Sequence, residues 1–208
     1  FYPDEVPPHV VAAVTRAATA VAAETALPLG VNVLRNDAEA ALSVAAAVDA
    51  DFVRVNVHTG ARVTDQGVVQ GRAHETLRLR DRLGVDVGVF ADTDVKHSAP
   101  LTPDGYTAES FADTAERGLA DAVIASGSGT GEAVDADALD AVVAERERHG
   151  LDTPVLVGSG VTPETVGDLL GVADGAIVGT AIKRGGETTA PVDEDRVADL
   201  VAAADAVR

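Results

Sequence analysis

Six short, Val-rich runs alternate along the chain with Ala-rich stretches of helical periodicity. Apolar runs bounded by polar or glycine residues are typical of parallel strands buried on both faces. No block of strands alone or helices alone interrupts the alternation, so the pattern predicts an α/β fold with right-handed crossovers. The predicted strands are Leu29–Leu34, Phe52–Val57, Val85–Ala91, Ala122–Ser126, Val155–Gly158 and Ala176–Gly179.

The stretches between these strands carry helix start signals. An opening helix is predicted from about Val6 to Glu24, ahead of the first strand. Later helices begin at side chains that accept hydrogen bonds from free backbone N–H groups, and Pro163 with Glu164 adds an N1 proline and an acidic first turn. The candidate N-caps are Asn36 or Asp37, Asp135, Thr162 and Asp193.

Glycine-rich turns follow the last two predicted strands rather than the first. A doubly wound nucleotide-binding sheet carries its glycines after the first strand, whereas TIM barrels bind phosphate with the loops after their last two strands. We therefore favour a TIM (β/α)8 barrel with six βα units visible and the first two strands missing; a six-stranded doubly wound sheet is the alternative. Residues 1–208 then form a single, N-terminally incomplete barrel domain.

Composition narrows the classes of partner. The chain has 208 residues, 34 of them acidic against 16 basic, for a net charge of −18. Such a surface repels nucleic-acid phosphates, so we expect no nucleic-acid partner. No apolar run is long enough for a membrane span, and the first residues do not resemble a signal peptide, so we expect a cytoplasmic protein.

The acidity is dispersed, and lysine is almost absent. Dispersed carboxylates keep a protein hydrated where salt screens their mutual repulsion, so we interpret the composition as adaptation to high salt. An ordinary acidic protein from a GC-rich genome is the alternative. Cysteine is absent, which excludes disulfides, thiolate nucleophiles and cysteine-ligated zinc.

The glycine turns are the candidate phosphate site. Glycine lets the backbone approach an anion closely, and backbone N–H groups at such turns bind phosphate. If these glycines serve only tight βα packing, the prediction fails. The candidate residues are Gly158, Ser159, Gly160, Val161, Gly179, Thr180 and Ala181.

Polar residues in the first three strands are the candidate catalytic groups. Asn32 lies within a strand, and alternation places Arg54 and Asn56 on one face of the next, where buried polar groups need partners. Asp92 and Lys96 follow the third strand; Asp92 could act as a base or hold a divalent cation. We expect Asn32, Asn56, Asp92 and Lys96 to face the reactive end of the ligand.

Lys96 is one of only two lysines in the chain. A composition that has replaced lysine elsewhere keeps it where a compact ammonium is needed, because arginine cannot mimic that group. Lys96 could act as an acid, as an electrostatic stabiliser or as an imine-forming nucleophile.

A long polar loop follows the second strand and runs to Gly71, which is typical of a lid or substrate loop. His58, at its start, we interpret as an ordinary loop histidine. The substrate-loop residues are predicted to be Arg54, Asp65, Gln66, Ser126 and Gly127.

Several of these stretches together resemble the BtpA/SgcQ family of barrel proteins. They are GVNVLRND at 30–37, RVNVHTGARVTDQGVVQG at 54–71, ADTDVKHSAPL at 91–101, ASGSGTG at 125–131, VGSGV at 157–161 and IVGTAIKRGG at 177–186. The resemblance implies a TIM barrel related to phosphate-binding barrels, and the acidic composition fits a haloarchaeal member that lacks its N-terminal segment. A cyanobacterial member of the family is associated with photosystem I accumulation.

Two functions therefore follow as expectations. The first is an enzyme that acts on a small phosphorylated metabolite, a phosphosugar or nucleotide-derived compound, with isomerase, lyase and transferase chemistry open. The alternative is a non-catalytic assembly or regulatory protein that retains a ligand-binding barrel. Homo-oligomerisation is left open by the sequence.

Overall fold

The structure, a computed structural model, describes residues 2, 5–65, 67–93, 98–101, 110–126 and 136–207. The strands are β1 Gly30–Asn32, β2 Phe52–Val55, β3 Ala61–Thr64, β4 Gly67–Gln70, β5 Gly88–Asp92, β6 Ser98–Pro100, β7 Ala122–Ala125, β8 Val155–Val157 and β9 Gly175–Ala176. The α-helices are α1 Pro8–Ala22, α2 Ala38–Val48, α3 Ala73–Leu83, α4 Ser110–Ala112, α5 Ala136–His149, α6 Val166–Leu170 and α7 Glu194–Asp205. A π-helical turn, Asp113–Arg117, follows α4, and two 3₁₀ turns, Thr180–Ile182 and Arg184–Gly186, precede α7.

Six strands form one parallel sheet in the order β1-β2-β5-β7-β8-β9. This order follows the chain without reversal, whereas a doubly wound sheet changes direction at a switch point. The doubly wound alternative is therefore wrong, and the described strands form a curled half-barrel. Each of these six strands overlaps a segment predicted from the sequence and is shorter than the predicted run; β5 ends one residue later than predicted, and β9 shares only Ala176 with its predicted segment.

Helices cover the outer face of this sheet. Leu42 and Val44 of α2 are fully buried against a cluster that includes Val53 and Val89 of the strands. A second cluster joins β7 and β8 to α5, α6 and α7. Burying the outer face of short Val-rich strands in this way supplies the apolar contacts on which the half-barrel depends.

The predicted helix starts are confirmed at two positions. Asp37 accepts a hydrogen bond from the N–H of Ala40, and Asp193 accepts from Asp195 and Arg196. Asp135 lies outside the described residues. Thr162 was wrong as an N-cap: α6 begins at Val166, after a turn in which the Thr165 hydroxyl accepts the Thr162 N–H.

Three aspartates that precede strands repeat one contact at the amino end of the sheet. Asp51, Asp121 and Asp174 each accept a backbone N–H from the neighbouring strand or its approach, those of Leu29, Val89 and Val155, at 2.7 to 2.8 Å. Arg80 and Arg146 pair with the last two aspartates. These contacts fix strand register at the end of the sheet opposite the predicted site.

The loop after β2 differs from the prediction. Residues predicted to form a polar lid without regular structure form the hairpin β3–β4, and β6 joins it in an antiparallel sheet ordered β4-β3-β6. Val69 of this second sheet packs against Val57. The strands are too short for alternation to identify them, and the pairing of β3 with β6 joins distant segments.

Among the described helices, none combines the length and apolar character needed to cross a membrane.

Candidate functional site

Both glycine turns border a single cavity of about 550 Å³. It lies at the carboxyl ends of β8 and β9, where parallel α/β folds bind ligands. Arg54 of β2 and Arg196 of α7 also line it. The structure thus brings together all seven residues predicted for phosphate: Gly158, Ser159, Gly160, Val161, Gly179, Thr180 and Ala181.

The two turns leave backbone donors without partners. Within the described residues, the N–H groups of Gly160, Val161, Thr180 and Ala181 have no protein acceptor. Val161 is buried and the other three residues are partly buried. Backbone donors withdrawn from water are normally paired, so four such groups around one cavity suit an anionic ligand. The Thr180 hydroxyl lies 3.1 Å from that of Thr188 and already has a protein partner.

The glycines in these turns are required for different reasons. Gly160 has a φ of 69°, in the left-handed region that other residues rarely adopt. A Cβ on Gly158 would collide with the Ser126 hydroxyl and lie 2.7 Å from Ile124 Cγ2. A Cβ on Gly179 would meet nothing within 4 Å, so protein packing does not exclude a side chain there.

Polar side chains converge inside the half-barrel next to this cavity. Asp92 accepts hydrogen bonds from Arg54 Nη2 at 2.8 Å, Arg54 Nε at 3.3 Å and Asn56 Nδ2 at 2.6 Å. Asn32 Nδ2 donates to the Arg54 carbonyl at 2.8 Å and to Asn56 Oδ1 at 3.3 Å. Three of the four predicted catalytic residues therefore share one hydrogen-bonded network with Arg54.

Register explains this convergence. Strands β1 and β2 pair Asn32 with Arg54, and β2 and β5 pair Val55 with Ala91, which places Asn56 and Asp92 one residue further along. Alternation turns Val53 and Val55 to the helices and Arg54 and Asn56 to the interior. The Asp92 side chain is 1% exposed and that of Arg54 23%, so the pair is largely desolvated.

The remaining predicted residues are distributed differently. Asp65 lies between β3 and β4, where Arg35 binds it at 2.8 Å, and its side chain is 62% exposed. The Ser126 hydroxyl is buried beside Gly158 and has no partner among the described residues. Lys96, Gln66 and Gly127 lie outside the described residues. No three acidic or histidine side chains in the described ranges are grouped to hold a metal ion.

Sequence reasoning missed Arg196. Its Nε donates to the Ala181 carbonyl at 2.6 Å, which fixes the 3₁₀ turn and sets the guanidinium at the cavity. Its position in the first turn of the last helix, three residues after the Asp193 N-cap, was the available signal. Glu164 also lines the cavity, and a hydrogen bond from the Thr162 hydroxyl lowers the pKa of its carboxyl.

His58 is not the ordinary loop histidine that the sequence suggested. It is 1% exposed, and its Nε2 lies 2.8 Å from the Gly118 carbonyl. Nδ1 has no partner within the described residues. Burial lowers the pKa of the imidazole, because the charged form loses its hydration.

The comparisons with known sequences agree on one family. The profile described as the BtpA family matches residues 1–206. An uncharacterised protein of Thermococcus kodakarensis is 48% identical over 198 residues, covering 95% of this chain and 73% of that protein. The photosystem I biogenesis protein BtpA of Synechocystis is 43% identical over 204 residues, covering 98% of this chain and 69% of its own length.

Solved structures with a similar fold are remote in sequence. Phosphoribosyl anthranilate isomerase of Thermus thermophilus has a TM-score of 0.62 at 14% identity, over 93% of this chain and 81% of that one. Thiamine phosphate pyrophosphorylase of Pyrococcus furiosus has a TM-score of 0.59 at 16% identity, over 98% and 80%. At these identities the similarity establishes the fold alone.

Proposed function

The chain belongs to the BtpA family, and from that premise we propose that it binds a small phosphorylated metabolite in the cavity bordered by residues 158–161 and 179–181. The observation that carries the proposal is the set of unpaired N–H groups of Gly160, Val161, Thr180 and Ala181 around one cavity. A phosphate accepts several such bonds at once, and the loops after the last strands of a barrel are where phosphate binds.

Arg196 places a cation beside the free backbone donors of the second turn. Its Nε donates to the Ala181 carbonyl at 2.6 Å, and Glu164 and Asp199 also line the cavity, so the support for a phosphate comes from the position of this guanidinium and not from an excess of positive charge. A cation next to free backbone donors attracts a phosphate locally. The names of the two similar structures, an isomerase of a phosphoribosyl compound and a thiamine phosphate pyrophosphorylase, also support a phosphorylated ligand.

The polar network next to the cavity favours an enzyme. Asn32, Asn56 and Asp92, with Lys96 as a further prediction, would surround the reactive end of the ligand, and an isomerase, lyase or transferase fits this arrangement. A cation held by Asp92 stays a prediction, as do a cytoplasmic location and the absence of a nucleic-acid partner.

We also propose that the half-barrel is part of an eight-stranded barrel. The edge strands β1 and β9 have one neighbour each in the described sheet, and the strand order runs in one direction. Two further strands between these edges would close the barrel and cover the open interior.

Gly179 offers a direct test of the phosphate proposal. A Cβ there meets no protein atom, so Gly179→Val should fold normally while its side chain fills the cavity. We expect inorganic phosphate to raise the thermal midpoint of the wild type in molar KCl and to lose that effect in the variant. Gly88→Ala is the matched control, because its Cβ makes only ordinary contacts outside the cavity. Equal stabilisation of Gly179→Val and wild type would overturn the proposal.

A second candidate is a phosphate-binding protein that acts in assembly rather than catalysis. The 43% identity to the Synechocystis photosystem I biogenesis protein favours it. A ligand that stabilises the chain but is recovered unchanged after prolonged incubation would support this role, whereas turnover that depends on Asn56 would support the enzyme.

A further inference from the structure

Arg54 has hydrogen-bonding capacity that the described part of the protein does not use. Nε and Nη2 bind Asp92, while Nη1 has no acceptor within the described residues. The residue lines the cavity across from the two turns, and its side chain is 23% exposed. A guanidinium has five N–H donors in a rigid fork, so free donors remain for a ligand.

The pairing with Asp92 changes what this guanidinium can recognise. Asp92 is the buried partner and neutralises the charge of Arg54, which leaves a fixed donor with little net charge. Such a donor suits neutral oxygens, hydroxyl or carbonyl, better than a second anion. Asn56 binds the same carboxylate and Asn32 binds Asn56, so the network holds the donor in one orientation.

The described residues give the cavity no aromatic surface on which a base could stack. None of its described lining residues is aromatic. Phe52 and Phe90 stack on each other, with ring centroids 4.3 Å apart, and Phe111 is fully buried. Recognition of a nucleobase commonly uses an aromatic face or a dedicated apolar slot.

We propose that the ligand is a phosphorylated sugar or polyol whose hydroxyl oxygens accept hydrogen bonds from Arg54, with Asp92 as the positioning residue for that arginine. This inference rests on the proposed function, since the two turns must hold the phosphate. It selects the phosphosugar over the nucleotide-derived compound.

Four probes separate the groups of such a ligand. Inorganic phosphate has the anion alone, propyl phosphate adds an apolar tail, ribose 5-phosphate adds hydroxyls, and AMP adds a base. On the wild type we expect ribose 5-phosphate to bind at least about tenfold more tightly than propyl phosphate, and AMP no more tightly than ribose 5-phosphate. Equal affinity for the first two, or tenfold tighter binding of AMP, would overturn the proposal without any variant.

Arg54→Lys keeps the charge but removes the fork. We expect it to bring the affinities for ribose 5-phosphate and propyl phosphate within about twofold of each other, with inorganic phosphate affinity unchanged. Arg80→Lys is the matched control, because Arg80 pairs with Asp121 at 2.9 Å and is 27% exposed but lies outside the cavity.

A substitution at Asp92 should weaken the preference for ribose 5-phosphate through its effect on Arg54. Asp92→Asn keeps the shape of the side chain but not its charge, and should lower the ribose 5-phosphate preference while sparing inorganic phosphate. Loss of inorganic phosphate binding in Arg54→Lys would mean that Arg54 binds the phosphate, and would overturn this assignment alone. Phosphate binding that is absent in the wild type, or insensitive to Gly179→Val, would instead overturn the proposed function.

Discussion

The two ends of the cavity differ in the groups that form hydrogen bonds there: backbone at one end, side chains at the other. At the turns, donors come from the backbone of residues 160–161 and 180–181, and side chains matter mainly by their absence. At the interior end, donors and acceptors come from the side chains of Asn32, Arg54, Asn56 and Asp92. A backbone site is changed only by adding atoms, whereas a side-chain network is changed by removing them, so the two ends call for opposite kinds of mutation.

Removing Asp92 should have the largest effect on stability. Asp92→Ala leaves the largely buried guanidinium of Arg54 without its partner, and breaking such a pair costs about 3 kcal/mol. Urea denaturation measures the free energy of unfolding. The control is Glu75→Ala, because in its pair with Arg72 both side chains are exposed, at 58% and 59%. Similar losses in the two variants would contradict the contrast between buried and exposed pairs.

Adding one methyl group tests the other end. Gly158→Ala places a Cβ against the Ser126 hydroxyl and Ile124, and overpacking of this kind costs about 1–3 kcal/mol. Gly179→Ala, in the neighbouring turn, should change the free energy of unfolding by less than about 0.5 kcal/mol, because its Cβ meets open space. Thermal or urea unfolding of both variants decides the comparison, and an unstable Gly179→Ala would remove the open space on which it rests.

Acid should lower the free energy of unfolding through the buried imidazole of His58, whereas the backbone turns have no group that titrates. Burial lowers the pKa of His58 below 6.5, so the unfolded chain takes up a proton before the folded one does. The contribution of His58 is fully present above about pH 6.5 and is lost as the pH falls below it, by at most about 1.4 kcal/mol per pH unit.

Substitution of His58 tests this dependence. His58→Gln should flatten the pH dependence of the unfolding free energy between about pH 6.5 and 5. If the wild-type unfolding free energy is constant over that interval, His58 is not buried as the structure has it.

The sequence pattern predicted the backbone turns of the cavity more fully than it predicted the side-chain network. The glycine turns were found because glycine turns after the last two strands are typical of phosphate-binding barrels, and Arg54 with Asn56 because charged and amide groups inside a Val-rich strand need partners. The sequence could not give the partner: Asp92 looked like a base in a charged loop, and only the register of β2 with β5 makes it the acceptor for Arg54. Arg196 was missed because its position near the Asp193 N-cap marks the start of a helix but does not reveal the 3₁₀ turn that its guanidinium reaches.

The effect of salt on the cost of single substitutions should be the smallest effect predicted. The effect of salt on the wild type also tests the high-salt interpretation of the composition. Mutual repulsion of 34 acidic residues is screened by salt, so the thermal midpoint of the wild type should rise from dilute buffer to molar KCl. Screening acts on exposed pairs and hardly on buried ones. The cost of Glu75→Ala should therefore fall from about a few tenths of a kcal/mol in dilute buffer to nothing in molar KCl, while the cost of Asp92→Ala stays the same. If the wild-type midpoint does not rise with KCl, an ordinary acidic protein is the better interpretation. If the cost of Asp92→Ala falls as KCl is added, water reaches the interior end of the cavity.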